Sequence, residues 1–189
     1  MQLSNRPKET YFVFPDIPAC KELSFEKLTS ENFAQLYLLF ESDENAFTDA
    51  QFKHYESAKE YTEHLEQYGA FSPKHSGQDW LFLWNDEYAG ILHLYDLSLK
   101  TFAENNQRCW VGFAIKPELR KKGITKKMLR YFLHYIFENY PLIRYVHSMT
   151  LKENLPAQGL LKVVGFIEDE AERMSKEHRF YVKERGGNL

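Results

Sequence analysis

The sequence predicts an α/β domain of the α+β kind, with a mixed, mostly antiparallel central sheet flanked by helices. Three observations carry that prediction. Apolar runs of strand length crowd residues 80–115 with short polar links between them, the pattern of an antiparallel meander. From Gly123 to Asn139 the apolar period changes to that of a helix, with Ile124, Met128, Phe132 and Ile136 four apart. Beyond Pro141 the order strand, short helix, strand closes the chain.

Taken in order, residues 1 to about 9 are polar and expected to be loose. Thr10–Phe14 reads as a short strand closed by Pro15 and Pro18. Leu23–Leu28 alternates apolar and polar, as a half-buried strand does. Thr29 then stands as an N-cap with Glu31 in the first turn, and Phe33, Leu36, Tyr37 and Phe40 give the helix its apolar face. Residues 48–68 read as a more polar second helix, ended by Gly69 and a loop through Gly77.

Trp80–Trp84 and Tyr88–Leu97, parted by Asn85-Asp86-Glu87, form a hairpin, and Cys109–Ile115 is the third run. Arg144–Leu151 is a strand, Pro156–Val163 a short helix, Gly165-Phe166 a turn into a strand, and Glu177–Lys183 the last strand.

Composition sets the bounds. A chain of 189 residues with 43% apolar and 27% charged residues suits one domain with a full core, and no repeat or linker divides it. The formal net charge of −3 gives no bias toward nucleic acid or an anionic membrane. Cys20 and Cys109 offer neither metal-ligand spacing nor a disulfide framework, which favours a reducing, cytoplasmic setting. The start carries no signal-peptide pattern, and no apolar run reaches the length of a membrane span.

Against that balance, residues 116–130 hold seven basic side chains and one acid, Glu118. A charge run alone is most often a solvated face. This one coincides with a strand, a proline-marked turn, a glycine and the start of a helix. Such a junction gathers backbone N–H groups and a helix's positive end, which suits a phosphate. GxGxxG and GxxxxGK[ST] are both missing, which argues against dinucleotide and P-loop readings.

Here a family resemblance enters. Arg120-Lys121-Lys122-Gly123-Ile124-Thr125, after the strand Val111–Ile115, resembles the central R/Q-x-x-G-x-G/A motif of the GCN5-related N-acetyltransferases. Asn154-Leu155-Pro156-Ala157 through Gly165-Phe166 is similar to that family's N-x-x-[SA]-x-x-L-x-x-x-x-G-F segment. Phe25–Asn32 is similar to the opening of the branch that acetylates ribosomal-protein N-termini. The resemblance covers roughly residues 20–183.

It implies a fold whose fourth and fifth strands splay to admit acetyl-CoA. Backbone at Ile115 would pair with the pantetheine arm. The amides of Arg120, Lys121, Lys122, Gly123, Ile124 and Thr125 would hold the pyrophosphate, and Asn154 would contact the cofactor near the pantetheine.

Three positions depart from the family pattern: Thr125 replaces the second small residue, Leu161 a common tyrosine acid and Trp110 a common glutamate base, while Ala157 stands where the ribosomal branch often has serine. His147 and His93 remain as candidate catalytic bases, His147 preferred because its strand borders the expected cleft; Asp96 and Glu104 are further candidates.

A site without a strong base favours a weakly basic acceptor. An α-amine of pKa about 7.7–8.0 is neutral roughly one time in ten at pH 7, against about four in ten thousand for a lysine ε-amine. The expected activity is acetyl transfer from acetyl-CoA to an N-terminal α-amine or small-molecule amine. The acidic run at Glu168–Glu172 suits a cationic acceptor. A non-catalytic acyl-CoA-binding module is the competing reading, and the assembly is a monomer or homodimer.

Overall fold

A computed structural model describes residues 16–29, 31–40, 77–95, 107–170 and 176–186. The expected strand at Thr10–Phe14 and the expected helix at 48–68 lie outside the described residues. The rest builds β1 (Leu23–Lys27), α1 (Phe33–Phe40), β2 (Gln78–Trp84), β3 (Glu87–Tyr95), β4 (Arg108–Ile115), α2 (Ile124–Asn139), β5 (Tyr145–Leu151), α3 (Leu155–Val163), β6 (Ile167–Glu168) and β7 (His178–Glu184).

These strands form one mixed sheet in the order β1-β2-β3-β4-β5-β7-β6. Every neighbouring pair is antiparallel except β4 and β5. The mixed, mostly antiparallel sheet is therefore as expected. The β2–β3 turn puts both Asn85 (φ 51°) and Asp86 (φ 63°) in the left-handed region, where these two side chains are tolerated best. Sequence and turn geometry agree there.

Helices cover both faces. On one, α2 buries Met128, Leu129, Phe132, Leu133 and Ile136 against Trp80, Phe82, Leu92 and Val111, with Leu161 and Val164 of the α3 region alongside. On the other, α1 packs Phe33, Leu36, Leu39 and Phe40 on Leu81 and Ile91. Period-2 alternation along each strand sorts the residues between these two cores.

One boundary differs from the sequence expectation. The first helix starts at Phe33 rather than directly after Thr29, because the intervening residues form a turn of their own. The Thr29 amide donates to Asn32 Oδ1 at 2.8 Å, the Glu31 amide donates to Thr29 Oγ1 at 3.3 Å, and Asn32 Nδ2 donates to the Lys27 carbonyl. Side-chain bonds of this kind compete with the first helical turn.

Candidate active site

The site starts where β4 and β5 part. Their parallel ladder pairs Arg108–Trp110 with Tyr145–His147 and goes no further. The next tie is a side chain: Ser148 Oγ, buried, donates to the Val111 carbonyl at 3.0 Å. Past that point β4 stays bound to β3 through Ile115. Because the Lys116 amide donates to Ala89 on β3, the alternation of a strand turns the backbone groups of Phe113 and Ile115 toward the gap. The Ile115 carbonyl accepts from Arg120 Nε at 3.3 Å.

β4 runs directly into the basic loop. A single 3-10 turn, Pro117–Leu119, is followed by Arg120 in extended conformation. Lys121 (φ 62°) and Gly123 (φ 77°) are both left-handed. Gly123 occupies the N-cap of α2 with no side-chain cap bond, and a Cβ built on it meets nothing within 4 Å. The glycine is thus needed for its dihedral, and the space in front of it is open.

The first amides of any helix lack intrahelical acceptors, so those of Ile124 and Thr125 face that space at the positive end of a sixteen-residue helix. Lys121 and Lys122 are exposed and make no ion pair among the described residues. Lys127 instead lies over the Trp84 ring at 4.7 Å, and Arg130 reaches the Val163 carbonyl.

α3 begins differently. Asn154 is its N-cap, and Oδ1 accepts from the Ala157 amide at 3.2 Å. Gln158, buried, donates to the carbonyls of Leu151 and Lys152, which fastens the start of α3 to the end of β5. Leu161 is 1% exposed within the core, so the place where a tyrosine acid was expected by resemblance is filled by packing.

The sheet face bearing α1 carries an aromatic group beside the gap. Trp110 stacks on Tyr95, lies 5.1 Å from the His147 ring and meets Phe180 edge-on. His147 is 6% exposed there. His93, two residues from Tyr95 on β3, has Nδ1 2.8 Å from Asp79 Oδ1. On the opposite face burial pushes the Tyr181 hydroxyl above its usual range and the Lys183 ammonium below its own.

The structure therefore brings Ile115, Arg120, Lys121, Lys122, Gly123, Ile124 and Thr125 together at one end of the gap. It sets His93 and His147 on one face, on strands either side of β4, with His147 directly opposite Trp110 and His93 opposite Gly112. Asp96 and Glu104 lie outside the described residues. Glu168, from the acidic run, is held in an ion pair by Arg179. Asp79 and Ser148 escaped the sequence reading. The available signals were a lone acid at the head of an apolar strand and a small hydroxyl at the centre of another.

A family model described as "Acetyltransferase (GNAT) domain" matches residues 22–167. No curated protein matches the chain by sequence. Among solved structures, the ribosomal L7/L12 alpha-N-protein acetyltransferase in complex with coenzyme A is similar at 16% identity. It covers 89% of this chain and 97% of its own, with a TM-score of 0.65. The spermidine N-acetyltransferase from Vibrio cholerae in complex with CoA and spermine is 15% identical, covers 89% of this chain and 98% of its own, and has a TM-score of 0.68. The aminoglycoside acetyltransferase AAC(6')-Ib in complex with coenzyme A is 14% identical, covers 86% and 95%, and has a TM-score of 0.69. At these identities the structural likenesses establish the fold.

Proposed function

The chain belongs to the GNAT acetyltransferase family, and from that premise we propose that it moves an acetyl group from acetyl-CoA to the primary amine of an N-terminus or of a small molecule. The observation that carries the reading is the parting of β4 and β5 directly beside the uncapped N-terminus of α2.

The residues present fit acyl-CoA. Gly123 is left-handed with open space before it, and the amides of Arg120 to Thr125 lead into a helix's positive end, a cradle for the pyrophosphate. Thr125 adds a hydroxyl there. The backbone of Ile115 faces the gap and would take the pantetheine arm as an added strand, once Arg120 releases its carbonyl. The Asn154 carbonyl oxygen is spent on α3, which leaves its amide group for the ligand. When bound, acetyl-CoA supplies an activated acetyl thioester.

His147 and His93 are the candidate bases on the acceptor side. A backbone N–H on β4 would polarise the thioester carbonyl, and the remaining rate enhancement would come from holding amine and thioester together. Structurally similar enzymes act on the ribosomal protein L7/L12, on spermidine and on an aminoglycoside, so the fold admits protein and small-molecule amines alike. Amine basicity favours an α-amine over a lysine side chain.

The burial of Leu161 favours a second reading, an acyl-CoA-binding module without turnover. Thiol release from acetyl-CoA in the presence of an amine panel separates the two. Transfer to N-terminal peptides or small amines in preference to N-acetylated lysine peptides is expected. Tight coenzyme A binding with no transfer to any amine would establish the module instead.

A further inference from the structure

The pair formed by Asp79 and His93 lies apart from the loop and helix start assigned above to coenzyme A, and it sits beside the gap on the face that carries Trp110. We propose that Asp79 is a positioning residue that fixes His93 as the general base, and that Gly112 is the window through which this base meets the acceptor amine. The proposal rests on the acetyltransferase reading above.

Three adjacent strands supply one row of cross-strand neighbours. Asp79 on β2 is opposite His93 on β3, and His93 is opposite Gly112 on β4. The Asp79 side chain is 9% exposed and its Oδ1 lies 2.8 Å from His93 Nδ1. An ionised carboxylate can only accept, so the imidazole proton resides on Nδ1 and the lone pair on Nε2.

The orientation of the ring follows from Gly112. A Cβ built on Gly112 finds His93 Cδ2 at 3.6 Å and His93 Cβ at 3.7 Å as its nearest neighbours. Nδ1 thus points back to β2 while Cδ2, the atom bonded to Nε2, lies on the β4 side. Gly112 comes two residues after the last β4–β5 pair, Trp110 with His147, so the basic edge of the ring borders the mouth of the gap. A side chain at 112 would stand in that opening.

A simple structural staple between β2 and β3 would need neither an absent neighbouring side chain nor access to solvent. The His93 side chain retains 26% exposure. His147 packs under Trp110 at 6% exposure and is the less accessible of the two.

Among the described residues, the register places these other titratable or charged groups on this face: Glu26 on β1, held by the Tyr88 hydroxyl, Tyr95 on β3, Arg108 on β4, Tyr145 and His147 on β5, and His178 and Glu184 on β7, Glu184 being paired with Arg144. α1 presents Phe33, Leu36 and Phe40 to its core.

In the reaction, Nε2 takes one proton from the substrate ammonium, and Asp79 stabilises the resulting imidazolium. The neutral nitrogen forms the new N–C bond as the C–S bond breaks. Its second proton goes to the departing sulfur, and His93 returns the first proton to water.

The test combines ¹⁵N-histidine NMR of the full chain with pH profiles of kcat/KM for an N-terminal peptide amine. For wild type the expected spectrum shows His93 (assigned by difference with His93→Gln) with a protonated Nδ1 and an unprotonated Nε2. Asp79→Asn is expected to lose that tautomer preference and lower kcat/KM about 10-fold. His93→Gln removes the acid limb of the profile and costs on the order of 10²-fold. Gly112→Ala, whose added methyl meets only ordinary contacts, lowers kcat while coenzyme A affinity stays put. An Nε2–H tautomer in wild type overturns the inference whatever the activity. So does an active wild type whose profile survives both Asp79→Asn and His93→Gln. Failure of wild type to acetylate any amine would instead overturn the acetyltransferase reading beneath it.

Discussion

The two edges of β4 are built to opposite specifications. Toward β3, six consecutive residues, Trp110–Ile115, are paired, and the fit is so close that a Cβ on Gly90 would collide with the Ala114 carbonyl and the Phe82 ring. Toward β5, three residues are paired, one hydroxyl ties the apex, and the rest of the edge is turned to the gap. One edge is finished by protein and the other is kept for a ligand. An unpaired strand edge is ordinarily a liability, and here it is the binding surface. The helix termini repeat the lesson: α3 has its Asn154 cap, whereas α2 begins with a glycine that caps nothing.

The largest effect is expected where the paired edge is broken. Gly90→Val places side-chain carbons on the backbone of β4, which cannot retreat without losing the ladder. A loss of about 3 kcal/mol or more in denaturant unfolding is expected. If Gly90→Val were as stable as wild type, the close contact between β3 and β4 would be wrong.

At the ligand edge the same kind of change should read out in binding. Gly123→Ala meets no atom within 4 Å, so its cost is the left-handed dihedral alone, about 1 kcal/mol. Relaxation of that dihedral turns the first amides of α2 away from the pyrophosphate, and calorimetry should show coenzyme A affinity falling about tenfold. A drop in stability without a drop in affinity would remove the loop from the cofactor site.

The two edges also differ in how legible they were. Antiparallel neighbours joined by short links declare themselves, since Trp80–Trp84, Tyr88–Leu97 and Cys109–Ile115 are apolar runs with turn residues or a polar loop between them. Residue chemistry marked the loop too, through Gly123 and the lysines around it. The gap is another matter. Whether β5 stays alongside β4 depends on the angle at which α2 returns the chain, and no local pattern in Tyr145–Leu151 records that angle. Only the family resemblance supplied it.

Asp79 was missed for a related reason. One acid at the head of Trp80–Trp84 reads as a strand end until the register shows His93 opposite it. Thr29 misled in the other direction, because Asn32 diverted the cap into a turn that sequence spacing alone does not distinguish from a first helical turn.

Ser148 tests the apex of the gap. Ser148→Ala leaves the Val111 carbonyl without its donor at a buried position, for which about 1–2 kcal/mol is expected. Loss of the tie also lets the strands part earlier, so KM for acetyl-CoA should rise while kcat changes less. Equal losses in kcat and kcat/KM would mean that the serine acts on chemistry rather than on the shape of the cleft.

The smallest effect, and the most discriminating, is expected at Arg120. Its exposed guanidinium holds the Ile115 carbonyl, the backbone group that a pantetheine arm would claim. Arg120→Ala should leave stability within about 0.5 kcal/mol of wild type. For the ligand it does two opposed things, since it removes a cation near the phosphates and frees an acceptor on β4. The first contribution is screened by salt and the second is not. Coenzyme A affinity of the variant should therefore lie below wild type at low ionic strength and approach it as salt is added. A deficit that stays constant with salt would mean that Arg120 holds the ligand by direct hydrogen bonds, and that the carbonyl it covers is not the one the ligand needs.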